Sequence, residues 1–115
     1  DRRGNVLGCS IAPGLVTAVN ALFGNTAQLP QVELKVTDRA MGRDSQQSIR
    51  GGIMLGYAGL VESLIAHTEK EIGERLYVIA TGGLSQTISE LIPRLDAVDS
   101  LHTLKGLKLV SDLNA

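Results

Sequence analysis

A chain of 115 residues is the size of one small domain, able to bury about two thirds of the surface that its unfolded form exposes. Apolar residues at 43% and charged residues at 20% describe an ordered globular protein and exclude a disordered tail. A formal net charge of −1 and an aromatic set of only Phe23, Tyr57 and Tyr77 offer neither a phosphate-backbone footprint nor a base-stacking platform, so nucleic acid is not an expected partner.

Asp1-Arg2-Arg3-Gly4 is a turn signal, and the apolar run Asn5 to Ala12 predicts a sheet strand leaving a hairpin, ended by Pro13-Gly14. Leu15 to Phe23 carries Leu15, Ala18, Val19 and Leu22 at helical spacing, with Gly24-Asn25 as the stop and a linker containing Pro30 beyond it. Val32 to Val36 alternates at period two and predicts a short strand or extended segment with one buried face.

Asp44-Ser45-Gln46-Gln47 then marks the start of a long helix, with an Asp or Ser cap and a Gln able to close a capping box. From Ile49 to Ile65 that helix is apolar on most sides. Gly52, Gly56, Gly59 and Ser63 fall on one stripe, a cost in helix propensity of about 1 kcal/mol per glycine that makes sense where another backbone approaches closely. Gly73 is the expected C-cap. Leu76 to Thr81 is a continuous apolar run, as in a parallel strand buried on both faces. A helix over Ser85 to Ile92 stopped by Pro93, a short strand at Ala97-Val98 and an amphipathic helix over Thr103 to Asn114 complete the order, the last with Leu104, Leu107, Val110 and Leu113 inward. The layout is α/β with a mixed sheet.

The lone Cys9 cannot close an intrachain disulfide, and no cysteine and histidine group has metal-ligand spacing; both fit a reducing compartment, read as the cytoplasm. The most apolar stretch, 52–66, contains Glu62 and several small or polar residues and is too short to span a bilayer. No signal peptide is visible, and a start at Asp1 within a turn is expected to have sequence before it.

The strongest local signal for chemistry is Ala80-Thr81-Gly82-Gly83-Leu84-Ser85. Paired glycines at the carboxyl end of a buried strand let a flat ligand such as adenine or ribose lie against bare backbone, yet the same pair also makes a tight strand-to-helix turn. It is not a P-loop, for neither Gly-Lys-Ser/Thr nor G-x-G-x-x-G occurs in the chain. Ser45, at the first turn of the long helix, reads as a capping hydroxyl or as one facing a polar ligand, and composition favours capping. His67 and His102 lack a nucleophile at suggestive spacing and read as surface or capping groups, and Cys9 as a small hydrophobe. Asp96 and Asp99 are too little for a metal site.

In order and spacing the chain resembles one family. Gly8-Cys9-Ser10-Ile11-Ala12-Pro13-Gly14-Leu15, then Ala21-Leu22 with Thr26-Ala27-Gln28-Leu29-Pro30, is similar to the middle of type III pantothenate kinase. Gly42-Arg43-Asp44-Ser45 with Ser48, Gly52, Gly56, Tyr57 and Gly59 resembles its long-helix motif, Ala80 to Leu84 its nucleotide-side loop, and Thr103-Leu104-Lys105-Gly106-Leu107 its final helix. The resemblance covers nearly all of the chain as a C-terminal half within the acetate-and-sugar-kinase, actin-like superfamily. It implies a ribonuclease H-like half with a mixed sheet and flanking helices. The Asp-x-Gly-Asn-Thr phosphate motif and the catalytic aspartate of the family would lie in an N-terminal half outside these residues, so no catalytic residue is expected here.

The resemblance further implies ATP-dependent phosphorylation of pantothenate, the first step of coenzyme A synthesis, with Mg²⁺, a monovalent cation (K⁺ or NH₄⁺) and a homodimer whose active sites lie at the subunit boundary. Ser45 stands where the family usually has a threonine that binds pantothenate from the neighbouring subunit, and Gly82, Gly83 and Leu84 stand on the nucleotide side. Three departures count: Cys9 for the second glycine of a pair, Ser45 for threonine, and His102 at an apolar position. Two other readings remain open at this point. One is a non-catalytic nucleotide-binding regulator, the other a dimerisation module using the Gly52, Gly56 and Gly59 face.

Overall fold

The computed structural model of the chain describes residues 1–23 and 32–115. The helix stop expected at Gly24-Asn25, the Pro30 linker and the family stretch Thr26 to Pro30 lie outside the described residues. Asp1 to Gly4 form the expected turn. The Asp1 carboxylate accepts the backbone N–H groups of Arg3 and Asn5, both at 2.9 Å, and Gly4 closes the turn at a φ of 82°. Residues 5–12 then run without a ladder and exposed, so the strand expected there does not form, and Cys9 faces solvent instead of packing as a small hydrophobe. A strand is held only by hydrogen bonds to a neighbour, and no described segment pairs with this one.

Helix α1 spans Leu15–Phe23 and buries Leu15 and Val19, one turn apart. The segment 32–36 also lacks a ladder. Val32 and Leu34 are half-buried, as period two predicts, and the segment is tied to the next helix through Arg50 Nε donating to the Glu33 carbonyl at 3.1 Å.

Helix α2, Ser45–Ile72, is the spine of the molecule. Asp44 is its N-cap, accepting from Gln47 N at 2.8 Å, while Gln47 Oε1 accepts from Arg43 N at 3.2 Å and its Nε2 donates back to Asp44 at 2.9 Å. This is the reciprocal logic of a capping box, shifted by one residue at the upstream donor. Gly73 closes the helix in the left-handed conformation, its N–H donating to the Glu69 carbonyl at 2.8 Å. By length and composition α2 is long and apolar enough to cross a membrane, which the shorter stretch 52–66 is not. One face of it is nonetheless core: Met54 is fully buried and Ala58 nearly so, packed with Leu15 of α1 and with Ile88 and Ile92.

Close approach along α2 falls elsewhere than the stripe. Nothing lies within 4 Å of a side chain added at Gly52, Gly56 or Gly59, whereas one at Gly51 would sit 2.5 Å from the Arg39 carbonyl oxygen, where the preceding loop crosses the helix.

The sheet is a parallel pair, β1 (Ile79–Ala80) with β2 (Ala97–Val98), in the register Ile79 to Ala97 and Ala80 to Val98. Among the described residues no antiparallel partner completes a mixed sheet. The strand expected over Leu76 to Thr81 is therefore shorter, and it is covered on one side only, with Tyr77 70% and Ile79 40% exposed. Between the strands, α3 (Ser85–Ser89) passes into tight i to i+3 turns at Leu91, Ile92 and Leu95 around Pro93. Helix α4, His102–Leu113, forms as expected, but Leu104, Leu107, Val110 and Leu113 are exposed, because no described element packs on that stripe.

Candidate functional site

The loop between β1 and α3 is shaped by its own hydroxyl and backbone groups. Ser85, buried at the first position of α3, donates through Oγ to the Gly82 carbonyl at 2.7 Å, and its N–H reaches the same oxygen at 3.2 Å. Gly82 adopts a φ of 98°, a region that side chains resist, so this glycine is required by the turn itself. Gly83 does not share that conformation, and a side chain added to it would meet nothing within 4 Å. The chain's own packing does not demand a glycine at 83.

The space beyond Gly83 belongs to a cavity of about 430 Å³, within the range of small-molecule sites. One wall is Ala80 to Ser85. The facing walls are Gly14 to Thr17 at the start of α1, Tyr57 and Val61 of α2, and Ile88, Ile92 and Leu95. Apolar side chains dominate, the hydroxyl groups of Thr17, Thr81 and Tyr57 supply polarity, and no charged residue is among the lining. Such walls suit a flat, uncharged group and give a phosphate nothing of opposite charge to meet.

Charge stands beside the cavity instead. Asp99, whose N–H donates to the Ala80 carbonyl at 2.9 Å, accepts from Lys105 Nζ at 2.8 Å and lies 3.6 Å from His102 Nδ1. The Lys105 hydrogen bond holds the Asp99 carboxyl below its ordinary range. At the opposite end of β1, Arg94 bonds the carboxylates of Glu69 and Asp96 and the Leu76 carbonyl, and Asp96 also accepts from Val78 N at 2.8 Å and from Arg75 at 2.7 Å. The hydrogen bond from Val78 chiefly lowers Asp96, and that from Leu76 chiefly lowers Glu69.

Gly82, Gly83 and Leu84 thus share one cavity, while Ser45 lies outside its lining. Twelve residues of helix separate Ser45 from Tyr57, about 18 Å at 1.5 Å per residue. Ser45 is exposed, and since Asp44 does the capping, its hydroxyl makes no hydrogen bond among the described residues. His67 is a surface group whose Nδ1 sits 2.8 Å from the Ser63 carbonyl. No group of three or more His, Cys, Asp or Glu side chains able to hold a metal ion stands together among the described residues. Residues that the sequence did not single out are Val16, Thr17 and Val61 as cavity walls and Arg94 with Glu69; Leu15 reads there only as a helix and family-motif position and Asp96 only as a metal candidate. Pro13-Gly14 at the start of α1 was a usable pointer to the first group, whereas pairs separated by 25 and 18 residues leave no local trace.

An α/β chain with a glycine turn at the carboxyl end of a parallel strand, opening on an apolar cavity, has the ligand-site geometry common to α/β folds. Residues 1–67 match the family model of type III pantothenate kinase. The chain belongs to that family. It is 38% identical over 113 residues to the type III pantothenate kinase of Syntrophus aciditrophicus, covering 98% of this chain and 44% of that protein. It is 40% identical over 114 residues to that of Moorella thermoacetica (99% and 45%) and 46% identical over 101 residues to that of Thermus thermophilus (88% and 40%). The chain spans less than half the length of these relatives.

Proposed function

We propose that the intact polypeptide carrying these residues transfers the γ-phosphate of ATP to pantothenate, and that this segment supplies the adenosine side of the site. The observation that carries the reading is the cavity beyond Gly83: a glycine that its own backbone does not need, facing an uncharged pocket of about 430 Å³. Gly82, Gly83 and Leu84 would lie against the adenosine, and Tyr57, Val61 and Ile88 would close over it. ATP supplies the transferable phosphoryl group; its phosphates, Mg²⁺ and a monovalent cation (K⁺ or NH₄⁺) would be handled by residues outside this segment, which alone is inactive.

Ser45 is the proposed pantothenate contact. Its hydroxyl is exposed, free of capping and about 18 Å along α2 from the cavity, which favours service to the site of a neighbouring subunit over its own. A homodimer through the open face of Gly52, Gly56 and Gly59 would bring the two together. The finer fold reading is a ribonuclease H-like half completed by strands from the rest of the polypeptide. It is supported by the edge of β1 that pairs with no strand among the described residues, where a groove of about 500 Å³ is lined by Tyr77 and Ile79 and by Ser10 and Ala12. A cytoplasmic location follows from the substrate chemistry.

The test is incubation of the intact protein with ATP, Mg²⁺, K⁺ and pantothenate, with 4′-phosphopantothenate followed by mass. Product formation is the expected result. Nucleotide binding without product, in every cation tried, would abandon the kinase in favour of a regulator.

A further inference from the structure

Arg94 sits at the far end of β1 from the glycine loop and is not itself in the lining of the cavity beside that loop. Its guanidinium bonds the Glu69 carboxylate at the end of α2, the Leu76 carbonyl ahead of β1 at 3.0 Å and the Asp96 carboxylate ahead of β2 at 3.2 Å. Both carboxylates in turn accept backbone N–H groups of the β1 approach, Glu69 from Leu76 and Asp96 from Val78, each at 2.8 Å. The side chains of Arg94, Glu69 and Asp96 are 23%, 23% and 15% exposed, so this is a shielded network rather than a rim ion pair.

Two facts make its position matter to the cavity. The β1–β2 ladder is only two residues long, too short to fix a strand by itself, so the approach to β1 depends on the backbone N–H groups of Asp96 and Ala97 donating to the Val78 carbonyl and on the side chains of Arg94, Glu69 and Asp96. Second, the residues flanking the Pro93-Arg94 pair, Ile92 and Leu95, are themselves cavity walls facing the loop that β1 leads into. Arg94 therefore joins the two walls through one side chain.

From this geometry we infer that Arg94 is a positioning residue for nucleotide binding, setting the distance between the Gly82-Gly83 loop and the Ile92–Leu95 wall. The inference rests on the nucleotide reading of the cavity. A lysine cannot replace it, since one ammonium cannot serve two carboxylates and a carbonyl in the planar fork that guanidinium provides.

The intact protein carrying Arg94→Lys, titrated at equilibrium with a fluorescent ribose-labelled ATP, is expected to bind roughly fivefold to tenfold more weakly, with kcat at saturating ATP and the KM for pantothenate within about twofold of wild type. Lys108→Ala, which removes an exposed ion pair on α4, should leave nucleotide affinity unchanged. Lower thermal stability with unchanged nucleotide affinity would make the network structural only and overturn the inference. Should the Arg94 variant fail to fold, Asp96→Asn can keep one oxygen as acceptor for Val78 while losing the charge and the oxygen that accepts from Arg75; unchanged affinity there overturns it equally. Wild type that binds the labelled nucleotide but leaves pantothenate untouched, with Arg94→Lys still weakening binding, removes the kinase reading and supports this one. Wild type that binds no nucleotide removes both.

Discussion

Replacing Gly83 with alanine separates a glycine kept for the turn from one kept for a ligand. The added methyl meets nothing within 4 Å, and the backbone there does not use positive φ, so folding stability should change by no more than about 0.5 kcal/mol or rise slightly through a stiffer unfolded chain. A methyl inserted between backbone and a close-lying adenosine behaves like overpacking, at about 1–3 kcal/mol. That corresponds to roughly fivefold to somewhat over a hundredfold in affinity. Equilibrium binding of ATP to the intact protein, together with thermal denaturation of the ligand-free variant, reads both quantities. Gly82→Ala is the contrast: with φ at 98° it should lose about 1–2 kcal/mol of stability, seen as a lower Tm. If Gly83→Ala binds ATP like wild type, the loop is a turn and not an adenosine contact. If instead it unfolds like Gly82→Ala, the openness of the site is wrong.

Met54→Ala empties the centre of the core and should cost about 2–5 kcal/mol, a large share of the stability of a small domain, measured by denaturant unfolding. Asp44→Ala should cost about 1 kcal/mol through the lost α2 cap, whereas Ser45→Ala should leave stability within about 0.5 kcal/mol and raise the KM for pantothenate; equal effects of both on Tm would return Ser45 to a structural role. Glu69 and Asp96 are depressed from ordinary values of 4.5 and 3.8, so their contribution is fully present above those values and is lost as pH falls below them through the lower folded-state range. Acid unfolding followed by circular dichroism should therefore begin at higher pH in Arg94→Met, since the carboxylates lose the cation that favours their charged form.

Sequence reasoning succeeded where the chemistry is local. The Asp44 and Gln47 pair, the Gly73 stop and the Asp1 to Gly4 turn each satisfy backbone groups within a few residues, so their side chains announce them. It fell short where structure is a property of neighbours. Residues 5–12 read as a strand by composition, yet with no partner among the described residues they have no ladder, and the inward stripe of α4 has no described surface to turn inward upon. The candidate site divides in the same way. Gly82 and Gly83 were visible as a pair, but only coordinates distinguish the glycine that the turn consumes from the one it leaves free. Arg94 lies in an unremarkable Pro-Arg-Leu-Asp string, and its meaning depends on Glu69, which is 25 residues away.

The bare stripe of α4 has a practical side. Leu104, Leu107, Leu109 and Val110 are each more than half exposed on a helix of twelve residues. Placed alone in water, such a surface recruits whatever apolar material is at hand: other copies, detergent, a reporter dye or a chaperone. Light scattering by the 115-residue chain, and its brightening of an apolar fluorophore, should both fall when Leu104 and Leu107 are changed to glutamine.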